Sequence, residues 1–144
     1  VVRSRGLGDV YKRQHNFGGI RAIVNSVSNI YHDLIIVYGC GGERDSSERG
    51  KIMKFTCANS RKVIFTSDNC RNESFQSILD DSRKDQEYSN LIVEPDRKQA
   101  IKNGIDALKE DDILLILGKG HEEFQEIKGT KIPFNDQRVV EEIL

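Results

Sequence analysis

The sequence predicts an α/β domain with a mostly parallel sheet, and three observations support this fold class. Four short runs of branched apolar residues alternate with segments in which apolar residues recur every three or four positions. Such patterns are typical of buried strands and amphipathic helices, respectively. The links between them are short and rich in glycine and polar residues. Strands and helices that alternate in this way imply a Rossmann-like sheet with helices on both faces.

The first half of the chain predicts the order helix, strand, helix, strand. Apolar residues at helical spacing predict a helix over about 18–31, and the continuous apolar run at 34–38 predicts a buried strand. Ser46-Ser47-Glu48 offers N-cap chemistry, which predicts a second helix through about Ala58. Branched residues then predict a strand at 62–66.

The second half continues the alternation and adds a hairpin. Asn72-Glu73-Ser74 begins a helix, and 91–94 forms a strand. Pro95-Asp96 opens the next helix, because proline suits a first turn and aspartate complements the helix dipole. The run 113–117 is the most apolar and is expected to be the central strand. The remaining predicted elements are a hairpin of 124–128 with 131–134 and a final helix over about 135–144.

Composition limits the classes of function. The 144 residues suffice for one domain, and 37% hydrophobic and 31% charged residues with a net charge of −1 describe a globular protein without the cationic excess that grips nucleic acid. No apolar run approaches the roughly 20 residues that cross a bilayer, and no signal sequence opens the chain. The cysteines and histidines show neither paired nor metal-ligand spacing: Cys40, Cys57, Cys70, His15, His32 and His121. We therefore expect a cytoplasmic protein.

Residues 1–14 differ from the rest of the chain. They carry basic residues and glycines without any periodicity, and the chain starts at Val1 although its one methionine is Met53. We interpret the chain as a fragment in which 1–14 is a non-native or disordered leader and 15–144 is the domain. A flexible basic linker is the alternative.

Polar and glycine-rich segments follow three of the predicted strands. Gly118-Lys119-Gly120-His121-Glu122 follows one strand, Gly39 to Asp45 follows another, and Asp68-Asn69-Cys70-Arg71 follows a third. The carboxyl ends of parallel strands meet at one sheet edge, where ligands bind in open α/β folds. The Walker A spacing of glycines and lysine is absent. The sequence thus predicts a site for a small charged ligand.

Two arginines suit an anionic ligand at this edge. Arg71 offers a planar fork that matches a carboxylate, and Asn69 can both donate and accept, so together they suit the zwitterionic end of an amino acid. Asp68 can cap the following helix or orient Arg71. Arg44 adds a second guanidinium. The alternatives are a polar turn and a surface ion pair of Arg44 with its acidic neighbours.

The segment from Gly118 to Glu122 can hold a cation. Glu122 and the carbonyl group of Gly118 can accept from an ammonium group, and Lys119 can neutralise a carboxylate or phosphate. A solvent-facing glycine turn is the alternative, and we favour a structural role for His121 over that of a catalytic base. His15-Asn16 can approach a nucleotide base or ribose, although a plain turn before the first helix is favoured.

Five motifs along the chain, in matching order, resemble the C-terminal domain of the Mur ligases of bacterial peptidoglycan synthesis. The resemblance is strongest to the branch that adds meso-diaminopimelate. The resemblance covers about 15–144 and rests on the following segments: Tyr38 to Asp45, Asp68 to Arg71, Pro95-Asp96-Arg97 with Ala100-Ile101, Gly118 to Glu122, and Ile132 to Asp136.

The resemblance implies roles for individual residues. The family's D-N-P-R motif recognises meso-diaminopimelate, which assigns that role to Asp68, Asn69 and Arg71, with Cys70 in place of proline. The remaining contacts that it implies to this amino acid are Arg44, Gly118 and Glu122. His15-Asn16 resembles part of a segment near the ATP site, with Phe17 where the family has proline, and Gly50 likewise replaces the proline that follows the position of Arg49.

The resemblance also implies the reaction of a whole enzyme. ATP and Mg²⁺ activate the D-glutamate carboxylate of UDP-MurNAc-L-Ala-D-Glu, and the amine of meso-diaminopimelate attacks it. By this resemblance the N-terminal and central domains, which bind most of ATP and Mg²⁺, are missing partners, and 15–144 holds no catalytic or metal-binding residue. The fragment alone is expected to be inactive. The alternatives are a fragment of a lysine-adding Mur ligase and a non-catalytic α/β module that binds a small ligand.

Overall fold

The structure is a computed structural model that describes residues 2–3, 16–28, 33–43, 46–118 and 122–144. Seven strands and five helices lie in these ranges. The strands are β1 (Val2–Arg3), β2 (Leu34–Tyr38), β3 (Lys62–Phe65), β4 (Leu91–Val93), β5 (Ile113–Ile116), β6 (Phe124–Ile127) and β7 (Thr130–Pro133). The helices are α1 (Phe17–Ser28), α2 (Arg49–Ala58), α3 (Phe75–Arg83), α4 (Arg97–Asp106) and α5 (Asp136–Ile143).

The main sheet has the strand order β1-β5-β2-β3-β4. The pairs β2 with β3, β2 with β5 and β3 with β4 are parallel, and only β1 runs antiparallel to its neighbour β5. The strands β6 and β7 form a separate antiparallel hairpin. The predicted α/β fold with a mostly parallel sheet is therefore confirmed.

Alternate residues of the strands face two separate cores. In β2, Leu34, Ile36 and Tyr38 pack with α1, α2 and α3 on one face, whereas Ile35 and Val37 pack with α4 and α5 on the other. All five residues of β2 are buried. A strand covered on both faces reads as a continuous apolar run, which explains the sequence pattern and confirms helices on both faces.

The structure corrects two details of the strand and helix predictions. The middle strand is β2, while β5 lies one position off the centre. The helix α2 begins at Arg49, and the side chain of its N-cap residue Glu48 makes no capping bond but accepts from the backbone N–H of Phe17 at 2.9 Å.

The sequence had suggested that Pro95 lies in the first turn of α4, but in the structure Pro95 lies outside that turn. The N-cap of α4 is Asp96, whose carboxylate accepts from the N–H groups of Lys98 and Gln99. The carbonyl of Pro95 instead accepts from the hydroxyl of Ser67 at 2.8 Å. The proline thus connects α4 to the end of β3.

Within the leader, Val2 and Arg3 pair with Leu114 and Ile113 of β5. The interpretation of 1–14 as a leader outside the domain stays a prediction. The remainder of the leader lies outside the described residues, as do residues 29–31 at the end of the first predicted helix. None of the helices in the described ranges has the length and apolar character of a membrane span.

Candidate functional site

Three segments meet beyond the carboxyl ends of β2, β3 and β5. The N–H of Gly42 donates to the carbonyl of Asn69 at 2.7 Å. A Cβ atom on Gly42 would lie 1.9 Å from the carbonyl oxygen of Cys70, and one on Gly118 would lie 2.7 Å from a carboxylate oxygen of Asp68. Since no side chain fits at these contacts, glycine lets the three segments form one polar crevice.

Arg71 lies at the rim of this crevice, where its side chain is 16% exposed. Its Nη1 donates to the carbonyl of Gly42 at 2.8 Å and to that of Asn69 at 3.3 Å. Its Nε lies 3.6 Å from the carboxylate of Glu126. In the part of the chain that the structure describes, Nη2 has no hydrogen-bond partner. The guanidinium is therefore held in place with one donor edge available.

Asn69 joins the loop after β3 to the segment that leads into the β6–β7 hairpin. Its Nδ2 donates to the carboxylate of Glu122 at 3.0 Å, and its Oδ1 accepts from the N–H of Glu126 at 2.9 Å. The sequence had indicated that this amide donates and accepts toward a ligand. The structure uses both of its ends to link protein groups, so Asn69 orients Glu122 beside the loop that carries Arg71.

Asp68 is buried, with 2% of its surface exposed. One carboxylate oxygen accepts from the N–H of Asn69 at 2.8 Å, and the other lies against Gly118. Of the two roles that the sequence left open for Asp68, the structure excludes capping of the following helix, because the hydroxyl of Ser74 caps α3. Asp68 shapes the loop that carries Arg71.

Cys70 is buried in the same loop. Its N–H donates to the carbonyl of Asp68 at 3.0 Å, and its own carbonyl accepts from the N–H of Glu73 at 3.0 Å. A proline at this position has no N–H and would leave out the first of these bonds. The replacement of proline by cysteine thus adds a hydrogen bond within the loop.

A buried ion pair fixes the strand ends beneath the crevice. The guanidinium of Arg97 makes two hydrogen bonds of 2.7 Å to the carboxylate of Asp136 and donates to the carbonyls of Ser67 and Leu117 at 3.1 Å. Although burial alone lowers the pKa of Arg97, the carboxylates of Asp136, Asp68 and Glu122 together outweigh it and raise the pKa. Arg97 therefore stays charged and pins the residues that precede Asp68 and Gly118.

A second buried arginine supports the loop after β2. Arg49 donates to the carbonyl of Gly41 at 2.8 Å and pairs with the carboxylates of Glu73 and Asp81 at 2.8 and 3.3 Å. Its hydrogen bond holds the pKa of Glu73 below its ordinary value. Sequence reasoning did not assign Arg49 or the Arg97–Asp136 pair to the site; their only signal was that Arg97 and Asp136 fall within motifs of the resemblance.

Several predicted site residues lie outside the described residues: His15, Arg44, Lys119 and His121. Asn16 is described and is exposed, and its Oδ1 accepts from the N–H of Gly19 at 2.8 Å. This bond caps α1 and matches the favoured alternative of a turn before the first helix.

The crevice can bind a ligand that carries both charges. Arg71 offers a cation, and the carboxylate of Glu126 lies directly beside it. Asn69 bonds to Asp68, Glu122 and Glu126 and so brings their acidic side chains to the same place. Such a site suits a carboxylate and an ammonium on one molecule. No group of three or more metal-ligating side chains occurs in the described ranges.

A parallel α/β sheet with a charged crevice beyond its strand ends is the arrangement in which open α/β folds bind small polar ligands. Residues 13–120 match the family described as Mur ligase, glutamate ligase domain. The chain therefore belongs to the Mur ligase family.

The relatives agree with one another in name. The UDP-N-acetylmuramoyl-L-alanyl-D-glutamate--2,6-diaminopimelate ligase of Aquifex aeolicus is 48% identical over 116 residues, which are 77% of this chain and 23% of the relative. The ligase of the same name from Helicobacter pylori strain J99 is 39% identical over 143 residues, 99% of this chain and 31% of the relative. The chain thus spans a quarter to a third of these proteins.

A solved structure supports the same family. It is described as a UDP-N-acetylmuramoyl-L-alanyl-D-glutamate--2,6-diaminopimelate ligase and superimposes with a TM-score of 0.85 at 27% identity. The superposition covers 96% of this chain and 31% of that chain.

Proposed function

We propose that residues 15–144 are the amino-acid-binding domain of a longer cytoplasmic ligase that adds meso-diaminopimelate to UDP-MurNAc-L-Ala-D-Glu. The names of the relatives and the short share of each that the chain spans support this proposal. In this proposal 1–14 is not part of the domain, and the missing partners are the N-terminal and central domains of the same chain.

The observation that carries the proposal is the link from Arg71 through Asn69 to Glu122. The backbone carbonyl of Asn69 holds the guanidinium of Arg71, and its side chain holds the carboxylate of Glu122. One end of meso-diaminopimelate carries a carboxylate and an ammonium on the same carbon. The carboxylate would pair with Arg71, and the ammonium with Glu122 and the carbonyl of Gly118.

The contribution of this domain to the reaction is positioning. An amine nucleophile gains most from being held near the reacting carbon, and such orientation can supply roughly 7–11 kcal/mol of a barrier in well-oriented systems. Arg71, Glu122 and Arg44 would hold the far end of the amino acid, with Asp68, Asn69 and Cys70 shaping the loop. The near amine then points out of the crevice toward the acyl group.

ATP and Mg²⁺ belong mainly to the missing domains in this proposal. When bound there, ATP with Mg²⁺ would phosphorylate the D-glutamate carboxylate to an acyl phosphate, which is activated toward attack by the amine of meso-diaminopimelate. The described residues here do not fit Mg²⁺, because they include no group of three or more suitable ligands, and Asn16 caps α1. His15 and Asn16 would lie near ATP only in the whole enzyme, so we expect no ATP-dependent phosphate release from this chain alone.

Calorimetric titration with meso-diaminopimelate and, separately, with L-lysine tests the proposal. We expect selective binding of meso-diaminopimelate, because with the reacting α-amine turned out of the crevice the far end of lysine carries an ammonium but no carboxylate for Arg71. Arg71→Ala should abolish the selectivity, whereas Arg138→Ala, which removes a 73% exposed side chain, should leave it unchanged. Equal binding of both amino acids would favour a lysine-adding ligase, and binding of neither by the folded chain would contradict the proposal.

A further inference from the structure

A buried polar side chain is among the groups that attach the β6–β7 hairpin to the loop after β3. Gln125 of β6 is 7% exposed, although every residue of β7 is exposed. Its Nε2 donates to the hydroxyl of Ser67 at 2.7 Å and to the carbonyl of Asp68 at 3.1 Å. A buried amide is stable only where hydrogen bonds replace those to water. The pair of bonds therefore fixes where the hairpin sits.

Gln125 is anchored on the rigid layer of the fold and not only on the loop. Ser67, which accepts from Gln125, donates its hydroxyl to the carbonyl of Pro95 at 2.8 Å. The carbonyl of Ser67 accepts from the buried guanidinium of Arg97 at 3.1 Å. The position of the hairpin is thus referenced to the end of β3 and the start of α4.

Backbone hydrogen bonds also connect the hairpin to the loop after β3, which carries Arg71. The N–H of Arg71 donates to the carbonyl of Glu126 at 2.9 Å, and the N–H of Lys128 donates to the carbonyl of Arg71 at 2.6 Å. Successive residues of a strand point to opposite faces. Gln125 therefore lies behind the crevice, while Glu126 lies at its rim beside Arg71.

We infer that Gln125 is a positioning residue that sets the separation between Arg71 and Glu122. The inference rests on the proposed function. Meso-diaminopimelate must reach both groups at once, so its affinity depends on a fixed separation. When its reacting α-amine points out of the crevice, lysine presents an ammonium but no carboxylate at its far end, and it then contacts only the acidic side of the site. Gln125 therefore determines selectivity without touching the ligand.

The first test needs no ligand. Gln125→Leu removes both hydrogen bonds at similar volume, and Gln76→Leu is the control because Gln76 is exposed on α3 and donates to the exposed carboxylate of Asp80 at 2.8 Å. We expect amide hydrogen exchange at Arg71 and Lys128 to become at least tenfold faster in the first variant and to stay unchanged in the second. Unchanged exchange in a folded Gln125→Leu chain would overturn the inference.

The second test uses both amino acids. In Gln125→Leu the ratio of the affinities for meso-diaminopimelate and L-lysine should fall about tenfold, whereas general destabilisation would weaken both equally and overturn the inference. If Gln125→Leu does not fold, Gln125→Met keeps the length of the side chain and repeats both tests. A wild-type chain that binds neither amino acid contradicts the proposed function, and the exchange test still decides whether Gln125 fixes the hairpin.

Discussion

Asp136→Ala should destabilise the chain more than any exposed charge removal. The substitution deletes two bonds of 2.7 Å and leaves the fully buried guanidinium of Arg97 with two carbonyl partners. Breaking a buried pair in this way costs about 3–5 kcal/mol, because a charge remains without its counter-charge. For a domain of this size we expect a fall of roughly 10–15 °C in Tm.

The matched control joins the same two helices. Lys98 of α4 and Glu142 of α5 form an ion pair at 3.2 Å, with both side chains about 60% exposed. Glu142→Ala should cost less than about 1 kcal/mol. Urea unfolding with unchanged m-values measures both free energies. If Asp136→Ala costs no more than Glu142→Ala, the buried pair does not fix the strand ends as argued.

Two further predictions concern the loops of the crevice. Gly42→Ala should lower the free energy of unfolding by about 1–3 kcal/mol or more, since the new Cβ would overlap the carbonyl of Cys70; Gly18→Ala in α1, where the nearest such atom is 3.8 Å away, is the control and should not destabilise in urea unfolding. Cys40 is partly buried, and desolvation raises the pKa of its thiol to about 12, so iodoacetamide at pH 8 should alkylate it much more slowly in the native chain than in urea. Equal alkylation rates, measured by mass spectrometry, would contradict this burial.

The strands and the place of the crevice were predictable from the sequence for a local reason. A strand covered on both faces needs a continuous apolar run, and parallel strands end at the same edge. The runs at β2, β3 and β5 therefore brought Gly39 to Glu43, Asp68 to Arg71 and Gly118 together, as the structure confirms.

The contacts that fix the site were not predictable in this way. Arg97 meets Asp136 across 39 residues, and Asn69 meets Glu126 across 57. No local period relates such partners, since they depend on how α5 and the hairpin pack back on the sheet. The capping bond of α2 was not predictable for a different reason: several side chains in a row can cap a helix, and Glu48 bonds to Phe17 instead.

The contacts around Cys70 show how its loop is held without the proline of the family's motif. A proline ring fixes φ at its own position and restricts the backbone of the residue before it. Here the N–H of Cys70 bonds within the loop, Gly42 donates to Asn69, and Arg71 exchanges backbone bonds with the hairpin. The loop is therefore held from both sides by neighbouring segments. Selectivity for meso-diaminopimelate over L-lysine should therefore depend more on Gly42 and Gln125 than on the residue at position 70. These two residues set the loop after β2 and the hairpin against the loop that carries Arg71.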